Sequence, residues 1–135
     1  MLLLDASALI AFIRREQGGE TVKQRIAKEE TFISLVNLTE VKGKLVGSGD
    51  LTPQQVESEL EPLYSLVQPI AYTHEHATLG AWWYARKNPY GLSLGDCACL
   101  GTAEAQDFEV LTAEQSWAKL PNLRIKISLI RTIQV

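Results

Sequence analysis

The chain has 135 residues, 46% of them hydrophobic and 21% charged, with a formal net charge of −3. A domain of this size buries roughly 65–70% of its unfolded surface in a single core, and the negative balance argues against a broad basic nucleic-acid face. No apolar run approaches the ~20 residues of a membrane span and the N-terminus lacks the basic stretch of a secretory signal, so a single cytoplasmic domain over 1–135, with no membrane contact, is expected.

In chain order, Met1–Leu4 is apolar and runs into Asp5-Ala6-Ser7, a buried strand feeding a helix over about Ser7–Arg15. Gly18-Gly19 breaks that helix. Glu20–Glu29 then places Val22, Ile26 and Ala27 on one side of a short amphipathic helix. Thr31–Leu35 is the second strand, and Val36–Val46 is a helix that carries Glu40 and ends at Gly47-Ser48-Gly49-Asp50. Thr52-Pro53 has the pattern of an N-cap followed by proline at the first helical position, which predicts a helix from Pro53 to about Leu66. Val67–Tyr72 is a third strand, confined to a sheet edge by Pro69.

Thr73 caps a helix over His74–Lys87, with Ala77, Ala81 and Trp82 or Tyr84 on its apolar side. Beyond the loop Asn88-Pro89-Tyr90-Gly91, Ser93–Gln106 is a helix of small residues and Phe108–Leu111 a fourth strand. Ser116–Lys119 reads as a short helix and Leu123–Ile127 as a fifth strand. Strands alternating with helices predict a three-layer α/β/α domain with a mainly parallel central sheet of about five strands.

Four carboxylates stand just after or near the ends of these strands: Asp5, Glu40, Asp96 and Glu114. Ligands of an open α/β sheet bind beyond the carboxyl ends of its strands, and acids gathered there suit a cation. Each has a plainer reading. Asp5 is equally well the N-cap of the next helix, and Asp96 merely starts a helix, although Cys97 to Ala103 leave it the lone charge there. Glu40 pairs with Lys44 four residues on as a surface ion pair, and Glu114 complements a helix dipole. Their joint position carries the weight. Carboxylate oxygens suit Mg²⁺ or Mn²⁺, and a divalent ion can activate water and stabilise the leaving oxygen in phosphodiester hydrolysis. Nothing competes for zinc: Cys97 and Cys99 point to different sides of one helix and read as core, and His74 and His76 as surface residues.

Once those residues are in place, the chain resembles the PIN-domain family, and within it the VapC-type ribonuclease toxins of toxin–antitoxin pairs. The matching segments are Leu3 to Ile10, Ser34 to Val41, Leu92 to Leu100 and Val110 to Glu114. The resemblance implies a sheet sandwiched by helices with the acids in one cleft, and a Mg²⁺- or Mn²⁺-dependent endoribonuclease. Asp5, Asp96 and Glu40 would hold the metal, and Glu114 would help position metal or water. Ser7 matches a hydroxyl lining the site, as does Thr112 of the Thr-Ala-Glu segment, and Arg86 with Lys87 meets the RNA backbone or is simply solvated at a helix end. The fourth acid departs from the pattern, being Glu114 where the family usually has aspartate. The resemblance further implies an RNA substrate, a cognate antitoxin over the groove and a homodimer, for which Trp82, Trp83 and Tyr84 are suitable contacts. Two other readings stay open: a PIN domain that binds RNA or protein without cutting, and an unrelated α/β phosphohydrolase. Asp5-Ala6-Ser7 lacks the second acid that the latter needs.

Overall fold

The computed structural model describes residues 1–131, so the domain expected over 1–135 is described up to Arg131. Five strands form one parallel sheet: β1 (Leu2–Leu4), β2 (Thr31–Ser34), β3 (Val67–Ile70), β4 (Glu109–Thr112) and β5 (Ile127–Leu129), in the order β3-β2-β1-β4-β5. Six α-helices surround it: α1 (Ala6–Arg14), α2 (Gly19–Lys28), α3 (Leu35–Gly47), α4 (Pro53–Leu60), α5 (His74–Ala85) and α6 (Leu94–Gln106). The expected three-layer α/β architecture with a parallel sheet is the one found.

The central strand explains the layers. Leu2, Leu3 and Leu4 are all fully buried because β1 is covered on both faces. Leu2 and Leu4 join Leu9, Val22, Leu38 and Val56 in one core, under α1 to α4. Leu3, pointing the other way, joins Trp83, Leu100, Val110 and Trp117 in the second core, under α5 and α6. Helices α5 and α6 pack closely because a β-carbon on Gly101 would collide with the backbone of Gly80.

The connectivity locates the cleft. From β1 the chain steps outward through β2 to β3 at one edge, then crosses to the opposite side of β1 for β4 and β5. Neighbouring β1 and β4 therefore send their connections to opposite sides, and the crevice beyond their carboxyl ends is the switch point of the sheet.

Several boundaries differ from the sequence reading, each for a physical reason. α4 stops at Leu60, and Glu61–Ser65 is a 3-10 turn. Pro62 removes the N–H that would have continued the α-helix. Pro69 does sit on an edge strand, β3. The fifth strand is Ile127–Leu129 rather than Leu123–Ile127. Leu123 and Ile125 alternate inward against the second core without pairing, and the ladder begins where Ile127 meets Val110. Ser116–Lys119 belongs to a 3-10 turn over Gln115–Lys119. In α5 the buried side is His76, Gly80 and Trp83, not Ala77, Ala81 and Trp82 or Tyr84. His76 is thus no surface residue: it is buried, accepts from the Thr73 N–H at Nδ1 and pairs through Nε2 with Gln106.

Candidate active site at the switch point

Asp5 leaves β1 in extended conformation and caps α1, its Oδ1 accepting from the Ala8 N–H at 2.9 Å. Cap and cleft residue are therefore the same side chain. Ser7 Oγ lies 2.7 and 2.9 Å from the two carboxylate oxygens, and Thr112 Oγ1 donates to Oδ2 at 2.6 Å. The hydroxyls are tied to the β4 exit: the Ala113 N–H donates to Ser7 Oγ and the Glu114 N–H to Thr112 Oγ1, both at 3.0 Å. Asp5 is only 4% exposed. Burial pushes its carboxyl up to about 6, against the lowering effect of the bonds from Thr112, Ala8 and Ser7, and the charge of Glu114 adds to the rise. Removal from water outweighs hydrogen bonds to the ionised form here. What the carboxylate lacks is a positive charge.

Glu40 lies against the first turn of α6, which carries Asp96. Ser34 caps α3 through its hydroxyl, accepting from the Val36 N–H, and Glu40 follows in that helix. Its Oε1 accepts from Asn37 Nδ2 at 2.7 Å, so it does not form the surface pair with Lys44 considered above. The same amide nitrogen donates to the Gly95 carbonyl at 3.0 Å, joining α3 to the first turn of α6. Asp96, the next residue, closes a capping box with Ser93: Oδ2 accepts from the Ser93 N–H at 2.9 Å, and Ser93 Oγ accepts from the Asp96 N–H at 3.1 Å.

The Cys99 thiol reports on the grouping. It is buried, which pushes its pKa up, and the negative charges of Asp5, Asp96 and Glu40, in that order, push it further. Three carboxylates from three elements thus act on one point of α6. Glu114, exposed, stands at the end of β4 and acts on Asp5. Among the described residues none of the four forms an ion pair with a lysine, arginine or histidine.

The donor set is all oxygen and uncompensated, which fits a hard divalent cation such as Mg²⁺ or Mn²⁺ and not a soft one. Among the described residues no three His, Cys, Asp or Glu side chains stand close enough together to hold a metal ion by themselves. That geometry is compatible with Mg²⁺, which keeps several waters and takes few protein ligands.

Arg86 is elsewhere occupied. Its guanidinium lies 3.9 Å from the Trp82 ring centre and donates to the Trp82 carbonyl, while Lys87 lies over Tyr84. Trp82 is exposed and Trp83 buried, one outward and one inward as their spacing demands. A cleft of about 630 Å³ lined by Phe12, Ile13, Gly19, Lys23, Glu59 and Leu63 contains none of the four acids. Asn37 is the site residue that sequence reasoning passed over. Its signal was there: a lone amide one helical turn before Glu40, among Val36, Leu38 and Val41.

The sequence profile of the PIN domain matches residues 2–123. No curated protein matches the chain in sequence. Among solved structures the chain is similar to a DNA-bound VapBC from Salmonella typhimurium (TM-score 0.73, 17% identity, 96% of this chain and 98% of that one). It is also similar to VapBC2 from Rickettsia felis bound to a promoter DNA fragment (0.72, 16%, 95% and 97%). A third is Mycobacterium tuberculosis VapC20, a toxin that cleaves the sarcin–ricin loop (0.71, 13%, 93% and 99%). At these identities the likeness is one of fold.

Proposed function

This chain belongs to the PIN-domain family, and from that premise we propose that it is a Mg²⁺- or Mn²⁺-dependent endoribonuclease, the toxin of a type II toxin–antitoxin pair. The observation that carries the reading is that Asp5 at the switch point of the sheet, and Glu40 against the Asp96-bearing turn of α6, have no cation opposing them among the described residues. The fold it shares with VapBC complexes, and with a toxin that cuts the sarcin–ricin loop, supports the toxin and RNA parts. An antitoxin covering the cleft, a homodimer and a cytoplasmic location belong to the same reading. Among the described residues no helix is long and apolar enough to cross a membrane.

Asp5, Asp96 and Glu40 would hold the ion in part through its own waters, and bound there it would supply positive charge to the phosphate and make a water acidic enough to attack near neutral pH. The chain's own groups set the stage. Ser7 and Thr112 fix the Asp5 carboxylate from two sides, so its orientation is set before any ligand arrives. Through the Glu114 N–H on Thr112 Oγ1 the same hydroxyl places the backbone of Glu114 beside Asp5. The Glu114 side chain, one methylene longer than aspartate and exposed at the mouth, would orient a water or the leaving group from the solvent side. Arg86 and Lys87 would meet the RNA backbone after leaving their aromatic partners, and half-buried Ser7 would line the substrate side, whereas Thr112, fully buried, acts only through Asp5.

The test is cleavage of a structured RNA by the purified protein with Mn²⁺, with Mg²⁺ and with excess EDTA, alongside Asp5→Asn/Asp96→Asn. Cleavage that needs the metal and both acids is expected. Equal cleavage in EDTA, or by the double variant, would overturn the mechanism. The spacing of the acids, too wide for three to chelate one ion, favours a second reading, a PIN domain that binds RNA or protein without cutting. No Mn²⁺ affinity together with no cleavage would assign that one.

A further inference from the structure

Asn37 is 1% exposed, and its amide nitrogen donates to two acceptors on different helices, Glu40 Oε1 and the Gly95 carbonyl. Because both partners are acceptors, the amide orientation is determined: the nitrogen faces them and Oδ1 faces away. Among the described residues Oδ1 has no hydrogen-bond partner. A buried acceptor left unpaired is a stability cost, and a leucine, branched alike though larger, would avoid it. The amide is therefore poorly explained as a packing residue and well explained by what its nitrogen holds.

Gly95 completes the arrangement from the other side. A β-carbon there would collide with the Glu40 carboxylate. Glycine is unfavourable inside a helix, yet at this position it is what lets the carboxylate lie against the turn that carries Asp96. Two locally unfavourable residues on two helices thus converge on one carboxylate.

We propose that Asn37 and Gly95 form a clamp that positions Glu40 against the Asp96-bearing turn of α6 before any metal arrives. The clamp rests on the functional reading above for the use of Glu40, but its geometry does not. Asn37 acts through Glu40 and is a positioning residue. Glu40 then meets an incoming ion already oriented, and α3 and α6 are joined at the level of the cleft rather than by apolar packing alone. Losing a group that orients a metal ligand typically weakens metal affinity by about 10–100-fold.

The experiment measures Mn²⁺ affinity by calorimetry, urea stability without metal, and the NMR signals of the Asn37 side-chain amide. Asn37→Leu and Gly95→Ala are each made alone and on a Glu40→Ala background. Each is expected to weaken Mn²⁺ binding about 10–100-fold and to add nothing once Glu40 is gone, while metal-free Gly95→Ala is at least as stable as the wild type. Gly95→Ala keeps the test sharp should Asn37→Leu fold poorly, since alanine favours the helix. The Asn37 amide protons should be protected from exchange and should shift in Glu40→Ala. Unchanged Mn²⁺ affinity in both variants, or losses that add to that of Glu40→Ala, would overturn the clamp. A wild type without Mn²⁺ affinity would instead sink the functional reading, and the amide response to Glu40→Ala would then decide the clamp: a shift sustains it, and an indifferent signal overturns it.

Discussion

The two ends of β4 carry acidic residues in opposite electrostatic settings. At its start, Glu109 accepts from Arg25 at 2.8 Å and from Ser128, with Lys126 at 3.9 Å, and Arg25 also bridges to Glu29 on its own helix. Burial raises Glu109, but the bonds from Arg25 and Ser128 outweigh it, so its pKa is lowered. Glu29 is lowered chiefly by its bond from Arg25. At the other end of the strand, Asp5 is held only by the hydroxyls of Thr112 and Ser7 and by the Ala8 N–H, and its carboxyl is pushed up to about 6. The same side-chain chemistry is neutralised internally at one end and left uncompensated at the other. The chain has 13 lysines and arginines for its 16 acids, and among the described residues none of their ion pairs falls at the open end. Charge is balanced at one end of β4 and left open at the other, where the proposed cation would supply the balance.

Removing charge at the open end should have the largest effect on function and little on stability. Asp5→Asn/Asp96→Asn is expected to lower RNA cleavage by about 10³-fold or more, the scale on which enzymes lose rate when a preorganised electrostatic group is removed. Urea denaturation of the same variant without metal should stay within about 1 kcal/mol of wild type, because asparagine keeps an acceptor for each cap. A double variant that cuts RNA normally would erase the contrast between the two ends.

Adding the missing charge should stabilise the fold. At a hundred times its dissociation constant, Mn²⁺ is expected to contribute about 2.7 kcal/mol, read as a rise in thermal midpoint that EDTA reverses and Asp5→Asn/Asp96→Asn lacks. An equal rise in that variant would place the cation elsewhere.

At the closed end the signs invert. Arg25→Ala strands Glu29 and Glu109 and should cost about 1.5–3 kcal/mol, the range for hydrogen bonds to charged groups, without changing cleavage per folded molecule. This loss should itself depend on pH. Both glutamates have folded pKa values below the ordinary 4.5, so their contribution is fully present above that value and disappears as pH falls through the lower folded ones. The gap between wild type and Arg25→Ala in urea midpoints is therefore expected to be constant from pH 7 to about 5 and to close towards pH 3. A gap that stays constant down to pH 3 would mean that Arg25 acts by packing alone.

Much of the fold was legible because its signals are local. Leu2-Leu3-Leu4 can be apolar without alternation only in a strand covered on both faces, and Thr52-Pro53 marks a helix start wherever it occurs. The elements that shifted were decided by competition. Pro62 cut α4 short although Leu63 and Leu66 kept its apolar spacing, and the alternation of Leu123 and Ile125 packs on the core while pairing waits for Ile127. In α5 the apolar residues outnumber the buried ones, so composition could not say that His76 and Trp83 turn inward while Trp82 turns out.

The sequence by itself determined an α/β domain with acids at Asp5, Glu40, Asp96 and Glu114 and strand ends to carry them. These follow from periodicity, caps and short motifs, each read within one segment. Only the tertiary structure decided which of those acids go unopposed, that Asp5 is both cap and buried carboxylate, and that Asn37 on α3 reaches Gly95, 58 residues away. The physical reason is that charge compensation and close approach are properties of pairs brought together by the crossing of the chain at β1 and β4. A lone asparagine or glycine looks alike in sequence whether it holds a carboxylate in place or merely fills a turn.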